Sequence, residues 1–406
     1  MGSKRSALVV GGGIIGVTSA YVLARNGWTV QIIEREDSAA MGASRRNGRQ
    51  LSYSHTNALA APERLAHIPR YMLGLDDAFR LSMRIDTKFL RWSAQFLRNC
   101  TSRAYRHNTL AVLALAEESR RAMEALLSRH DIAFERRACG KMVLLHDIDA
   151  MRMAQSSLRM KQAAGLDQSL LNPGEAIEIE PALAPIRSSF AGALYSPGDE
   201  TGDCQLFTTN LLKLLKTQYG VEFLSRRSVE RIELARGKPV VRLKGGDALR
   251  GDLAIVANGH QADRLLAPIG HRAPVEAMKG YSFTAPLGRQ APLVSITDQA
   301  RRIVFTNTGD RMLVAGIAEL GRVDASIDQE RLASMVAAAR SSLPDAAQYE
   351  AIGDRWAGMR PATPNSQPVT QMLEPGLAVN VGHGMLGWTL AMGSAERLGR
   401  AVCAFD

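Results

Sequence analysis

Leu8-Val9-Val10 is an unbroken apolar run, the pattern of a short strand buried on both faces, and it stops at Gly11-Gly12-Gly13. Residues 17–26 then carry apolar positions at helical spacing, with Gly27 placed to close the helix. Residues 29–33 form a second strand pattern that ends at Glu34. This predicts one β-α-β unit in about 30 residues, the length such a crossover needs. Phe89, Trp92, Phe96 and Leu97, and later Leu110, Leu113, Leu115, Met123, Leu126 and Leu127, recur among Arg and Glu and predict helix across 85–135. Short strands are expected at 139–145 and 192–195, and Asp203 is placed to cap a helix over 205–219. Strand patterns follow at 221–224, 229–234, 240–243 and 253–256, then an antiparallel group at 282–285, 303–307 and 312–315. The last elements are a helix at 326–342, a strand at 377–381, the turn Gly382-His383-Gly384 and a helix to 402.

The chain has 406 residues, which suits two domains, yet it shows no internal repeat and no low-complexity linker. Two domains must then be interleaved. With 46% hydrophobic and 22% charged residues, global disorder is excluded. The net charge is +10, carried by 41 Arg and 9 Lys against 40 acids, and points to anionic ligands. A nucleic-acid partner is not expected, because the arginines are scattered among acids and form no basic stripe interleaved with aromatics. Four cysteines without a C-x-x-C and eight histidines without ligand spacing predict neither a disulfide scaffold nor a metal site. Lys4 and Arg5 ahead of an apolar stretch imitate a secretion signal, but the glycines at 11–13 and 16 interrupt it. The expectation is a soluble, intracellular, metal-free protein.

Gly11, Gly13 and Gly16 form G-x-G-x-x-G between a strand and a helix, the context in which the motif carries weight. The first glycine permits the turn, the second lets backbone approach a pyrophosphate, and the third permits close helix packing. The helix N-terminus, at Ile14 and Ile15, then offers free N–H groups to phosphate. Glu34 stands 21 residues after Gly13, where a carboxylate accepts from ribose hydroxyls and opposes a 2′-phosphate. Two further strand-to-glycine junctions favour FAD over NAD: Ile255-Val256-Ala257-Asn258-Gly259, and 379–389 with its Gly384-Met385-Leu386-Gly387 turn and Thr389. The second would point a helix N-terminus at a reduced flavin ring.

With these motifs the chain resembles the bacterial FAD-dependent D-amino acid dehydrogenases, within the fold group of D-amino acid oxidase, glycine oxidase and sarcosine oxidase. The resemblance covers nearly all of the chain. It rests on Leu97-Arg98-Asn99-Cys100-Thr101, on the string from Gly198 to Thr208, on Lys279-Gly280-Tyr281-Ser282, on Gly358-Met359-Arg360-Pro361-Ala362-Thr363-Pro364, and on 382–389. It implies an α/β fold in which a Rossmann-like FAD-binding domain (1–84, 190–266 and 355–406) is interleaved with an α+β substrate domain on an antiparallel sheet (85–189 and 267–354). It implies Arg360 as the clamp for a substrate carboxylate, which a guanidinium can hold bidentately. Tyr281 is implied as a second carboxylate contact, with Tyr53 and His55 lining the pocket.

For the cofactor the resemblance adds Arg35, Val229 and the ring-facing segment Ser44, Asn47, Gly48, Arg49 and Gln50. Arg49 replaces a usually small residue, and Met385, Asn365 and Gln371 also depart from the family pattern. No cysteine lies near Arg360, so the FAD is expected to be noncovalent. The implied reaction is oxidation of a D-amino acid by hydride transfer from Cα to flavin N5, then hydrolysis of the imine to a keto acid and ammonia. Electrons would pass to a quinone or another non-oxygen acceptor, in the cytoplasm, with peripheral contact at the inner membrane known among relatives of this type. The alternatives are an oxidase or dehydrogenase of a secondary amine or glycine, and a redox-silent binding protein whose ring site Arg49 blocks.

Overall fold

The computed structural model describes residues 5–163 and 165–405. Residues 1–4, 164 and 406, and with them Lys4 and the outer ends of the first and last expected domain spans, lie outside the described residues. Its first sheet has six strands in the order Val369–Glu374, Leu377–Val381, Leu253–Val256, Ser6–Val10, Thr29–Ile33, Glu222–Leu224, parallel except for the Val369–Glu374 edge. Alternation along each strand divides the side chains between two layers. Ala7, Val9, Val30, Ile32, Leu253 and Ile255 meet the helices Ile14–Arg25, Cys204–Gln218 and Gly387–Phe405. Leu8, Val10, Ala254, Val256 and Val379 meet the three-stranded antiparallel sheet Val229–Ala235, Lys238–Leu243, Ala248–Arg250. Burial on both faces is why these strands read as continuous apolar runs.

A second, nine-stranded sheet runs from Gly353–Ala362 through Glu276–Pro286, Arg311–Leu320, Ile303–Asn307, Ser295–Asp298, Lys141–Leu145 and Gly192–Ser196 to Ser169–Leu171, with Phe79–Leu81 on Arg311–Leu320. One face is covered by Pro173–Ile179, the 3-10 stretch Pro181–Ser189 and the helix Gln329–Ser342, over a core that includes Phe283, Phe305, Leu332 and Met335. Phe79–Leu81, Gly192–Ser196 and most of Gly353–Ala362 fall within the spans expected for the FAD domain, yet they are strands of this second sheet. The sheets therefore do not divide the chain where the expected spans do.

The expected helix over 85–135 is two helices, Thr87–Asn99 and Ser102–Leu127. Each starts on its own cap: the Asp86 carboxylate accepts from Phe89 N–H (2.9 Å), and the Thr101 hydroxyl accepts from Ala104 N–H (3.2 Å). Asp203 caps its helix as expected, accepting from Leu206 N–H at 2.8 Å. The strand Gly353–Ala362 carries no alternation in sequence, because Asp354, Arg355, Gly358 and Arg360 interrupt it. Pairing with Glu276–Pro286 makes it a strand.

Candidate active site

Between the two sheets lies one cavity of about 1840 Å³. Its end against the parallel sheet is built by the first strand-to-helix turn. Gly11 takes φ +113°, and a Cβ there would sit 2.7 Å from the Ala257 carbonyl oxygen; a Cβ on Gly16 would sit 1.8 Å from that of Gly11. Only glycine fits either position, so the turn is pressed flat against the neighbouring strand end. Gly16 itself packs and does not line the cavity, whereas Gly11, Gly13, Ile14 and Ile15 do. The helix has no cap of its own, and Ile14 N–H donates to the Ser44 hydroxyl (3.1 Å). Glu34 lines the cavity, accepting from Gly12 N–H (2.6 Å) and Glu36 N–H (3.0 Å), and Arg35 lines it too, donating to Gln261 (2.9 Å) on the same wall. Val229, Asn258 and Gly259 close this end, and the buried Asn258 Oδ1 has no partner.

The segment Ser44–Gln50 crosses the cavity floor, where Ser44, Asn47, Gly48 and Gln50 line it. Beyond Gly48 the side chains alternate. Gln50 and Ser52 face the cavity, while Arg49 and Tyr53 face away. Arg49 has φ +55° and holds Glu135 (2.5 Å) and Asp203 with only 16% of its side chain exposed. Arg49 therefore does not obstruct the cavity, and it is corrected from a cofactor contact to a structural ion-pair residue. Thr389 is also outside the cavity; its hydroxyl accepts from Ser52 N–H (3.0 Å) and so pins the floor to the last helix. Gly384, Met385, Leu386 and Gly387, at the start of that helix, do line the cavity. His383 beside them is buried, with Nε2 2.9 Å from the Ser394 hydroxyl, and burial pushes it down to about 3, so it stays neutral.

Two tyrosines are corrected as well. Tyr53 is buried in the core with Leu51, Phe134, Phe207 and Trp388. Tyr281 shares the helix-covered face with Phe283 and Ala285, and its hydroxyl donates to Glu319 (3.2 Å). Neither lines the cavity, and burial raises both phenols above their ordinary range. The reason is strand parity: Gln50 and Ser52, each one residue along from Arg49 and Tyr53, face the cavity, as does Met278, three residues before Tyr281 and across the register shift between Lys279 and Tyr281. The apolar alternation Tyr281, Phe283, Ala285 against Ser282 and Thr284 was the signal that assigns Tyr281 to the core.

Arg360 lines the cavity from the strand Gly353–Ala362. Among the described residues it has no ion-pair partner, and its one hydrogen bond there is a long one from Nη1 to the Ile317 carbonyl (3.5 Å). That carbonyl is turned out of its ladder. Ile317, a β-branched residue, takes φ +42°, where the pairing shifts between Lys279 opposite Glu319 and Tyr281 opposite Gly316. The guanidinium lies over Gly280, where a Cβ would come within 2.2 Å of Nη2. Burial alone pushes the guanidinium down to about 10, so it is still charged at neutral pH. A cation held in a cavity wall, without a counterion among the described residues, is a receptor for an anion.

A basic group missed in sequence is Lys141, the first residue of a strand that is otherwise apolar. Its ammonium reaches the cavity wall and donates to Gln50 Oε1 (2.9 Å) and the Ser52 hydroxyl (2.8 Å). Lys161 lies behind it and donates to the Ser54 carbonyl (2.9 Å). Burial pushes each down to about 8. His55 lines the cavity beside them with a buried, unpartnered Nδ1, and burial with both lysines holds it neutral. Asp199 balances part of this charge; its Oδ1 accepts from Ser54 N–H (2.9 Å), and burial raises its carboxyl.

The glycine cradle, the acid at Glu34 and the unpartnered Asn258 oxygen fit a dinucleotide of the FAD type. Residues 6–401 match the FAD dependent oxidoreductase family, and the chain belongs to it. It is 36% identical over 402 residues to a D-amino acid dehydrogenase 2 from Ralstonia nicotianae, covering 96% of this chain and 94% of that one. It is 34% identical over 399 residues to a D-amino acid dehydrogenase from Xylella fastidiosa, covering 98% and 91%. Among solved structures, glycine oxidase from Geobacillus kaustophilus superposes with a TM-score of 0.75 at 20% identity, covering 99% and 96%. L-proline dehydrogenase from P. horikoshii superposes with a TM-score of 0.74 at 19% identity, covering 100% and 94%. The protein is an FAD-dependent oxidoreductase with the mixed α/β architecture expected of it.

Proposed function

We propose that the protein oxidises a D-amino acid to its imino acid and that Arg360 binds the substrate carboxylate. The observation that carries this reading is a half-buried arginine lining the cavity with no counterion among the described residues. FAD, when bound, supplies the two-electron acceptor. The residues of the chain supply position and environment. Gly280 leaves room for the guanidinium, and the Ile317 carbonyl fixes one of its nitrogens, so that the second edge is free for a carboxylate. Holding the acid end orients Cα–H. The neutral amine's own lone pair drives the oxidation, so no protein base is needed. His55 and His383 are neutral and serve as wall. Water then hydrolyses the imine to a keto acid and ammonia.

Gly11, Gly13, Ile14, Ile15, Glu34, Ser44, Asn47, Gly48, Gln50, Asn258, Gly259 and the turn 384–387 would hold the cofactor. No cysteine lines the cavity, which supports noncovalent FAD. The domain division we assign follows the sheets, with Phe79–Leu81, Gly192–Ser196 and Gly353–Ala362 counted to the substrate domain.

No helix among the described residues is long and apolar enough to cross a membrane. The relatives' dehydrogenase names support an acceptor other than oxygen, and we assign a quinone reached at a membrane surface. Leu73, Leu75, Met83 and Ile85 are exposed (Ile85 by 94%) in one stretch that also exposes Arg70, Arg91 and Arg98, which suits an anionic bilayer. The test of the reaction is anaerobic bleaching of the FAD-loaded protein by both enantiomers of the amino acids, with glycine, sarcosine and proline alongside. D-selective bleaching is the expected result, and peroxide yield against dye reduction then fixes the acceptor. Bleaching by secondary amines alone would move the assignment to them.

A further inference from the structure

Arg64 and Arg302 also line the cavity, and they come from separate elements: the 3-10 stretch Pro62–His67, and the turn before the strand Ile303–Asn307. Arg302 donates from Nη2 to the Tyr71 hydroxyl (2.8 Å) and lies over the rings of Tyr71 and Phe79 (5.3 and 5.6 Å to the centroids). Its only carboxylate among the described residues, Asp76, stands 3.7 Å from Nη1, beyond hydrogen-bond range. Arg64 has no carboxylate partner at all among them. Arg64 Nε and Arg302 Nη1 are buried donors with nothing to donate to. Burial and the charge of Arg302 push the Arg64 guanidinium down, with Tyr71 a smaller opposing influence. Two like charges are thus held together and partly dehydrated, an arrangement that costs stability unless an anion joins them.

The backbone connects this pair to the carboxylate clamp. Arg360 reaches the carbonyl of Ile317, and Ile303, the residue after Arg302, pairs with Gly316. The two arginines are therefore anchored one residue apart on the strand Arg311–Leu320. Arg302 is itself held at φ +54°, a left-handed conformation uncommon for a non-glycine residue. We propose that Arg64 and Arg302 form a second anion site facing the Arg360 clamp, and that it selects substrates with an acidic side chain. This rests on Arg360 being the clamp. The substrate class is then an α-amino dicarboxylic acid, one carboxylate on Arg360 and the other on the Arg64–Arg302 pair.

The test uses unreactive acids on the FAD-loaded protein, with the visible flavin spectrum as readout. Acetate, propionate and butyrate are titrated beside malonate, succinate and glutarate. At least one dicarboxylate is expected to bind about tenfold tighter than the monocarboxylate of similar length, equivalent to about 1.4 kcal/mol. Arg64→Met and Arg302→Met, made separately in case one fails to fold, are expected to remove most of that preference. They should leave monocarboxylate affinity within about threefold. Equal binding of the two series, or a preference that survives both substitutions, overturns the second site and leaves the clamp standing. A spectrum that no carboxylate perturbs overturns the clamp itself. Flavin reduction by D-aspartate or D-glutamate well ahead of D-asparagine and D-glutamine gives the same answer with substrates.

Discussion

At the scale of single residues, the site depends on a few cations kept apart from acids. Gly280→Ala would place a methyl on the Arg360 guanidinium, which is the far end of a flexible side chain and can swing aside. The expected outcome is a nearly unchanged melting temperature with carboxylate affinity lowered about tenfold or more, read by spectral titration of the FAD-loaded protein. Lys141 and Lys161 carry a different signature. Both are buried and pushed down to about 8, so between about pH 8 and the ordinary lysine value near 10.5 the unfolded chain binds more protons than the folded one. Unfolding free energy should gain from these two groups as pH rises through that window, the lysine penalty being present in full below it. Replacing both with Met should flatten that gain, which denaturant melts at pH 7.5 and 10 would measure.

At the scale of elements, the first turn is the rigid part of the cofactor cradle. A Cβ at Gly16 meets backbone rather than a movable side chain. Gly16→Ala should therefore cost at least about 2 kcal/mol and strip FAD during gel filtration, whereas a change at Gly13, whose Cβ would have only the Ser44 hydroxyl nearby at 3.5 Å, should be milder. This turn was legible in sequence because a strand, three glycines and a helix sit next to one another. Arg360 was legible only through resemblance, since its strand has no alternation until it pairs with Glu276–Pro286. The misplaced residues share a cause. Arg49 and Tyr53 each lie one position from a cavity-facing residue and Tyr281 three positions from Met278, and parity is set by bulges and partners that a short motif does not encode. Lys141, Arg64 and Arg302 escaped notice for another reason: they lie far apart in the chain, and only the fold brings them to the wall of one cavity.

At the scale of the whole molecule, one cavity lies between two sheets, the parallel one presenting its strand ends to it and the mixed one presenting arginines. Leu73, Leu75, Met83 and Ile85, with Arg70, Arg91 and Arg98, are exposed on the outside of that arrangement. Flotation with vesicles containing anionic lipid should recover the protein, and Leu73→Glu with Ile85→Glu should release it. Flotation unaffected by the pair would remove the membrane assignment. The central claim is that a substrate carboxylate is held by Arg360 while the bound flavin is reduced. Its most direct measurement is rapid-mixing anaerobic reduction of the FAD-loaded wild type and Arg360→Ala by D-amino acids. The predicted result is full FAD occupancy in both, with the second-order reduction constant of the variant lower by roughly 30- to 1000-fold, about 2–4 kcal/mol. Equal constants in the two proteins would contradict the claim.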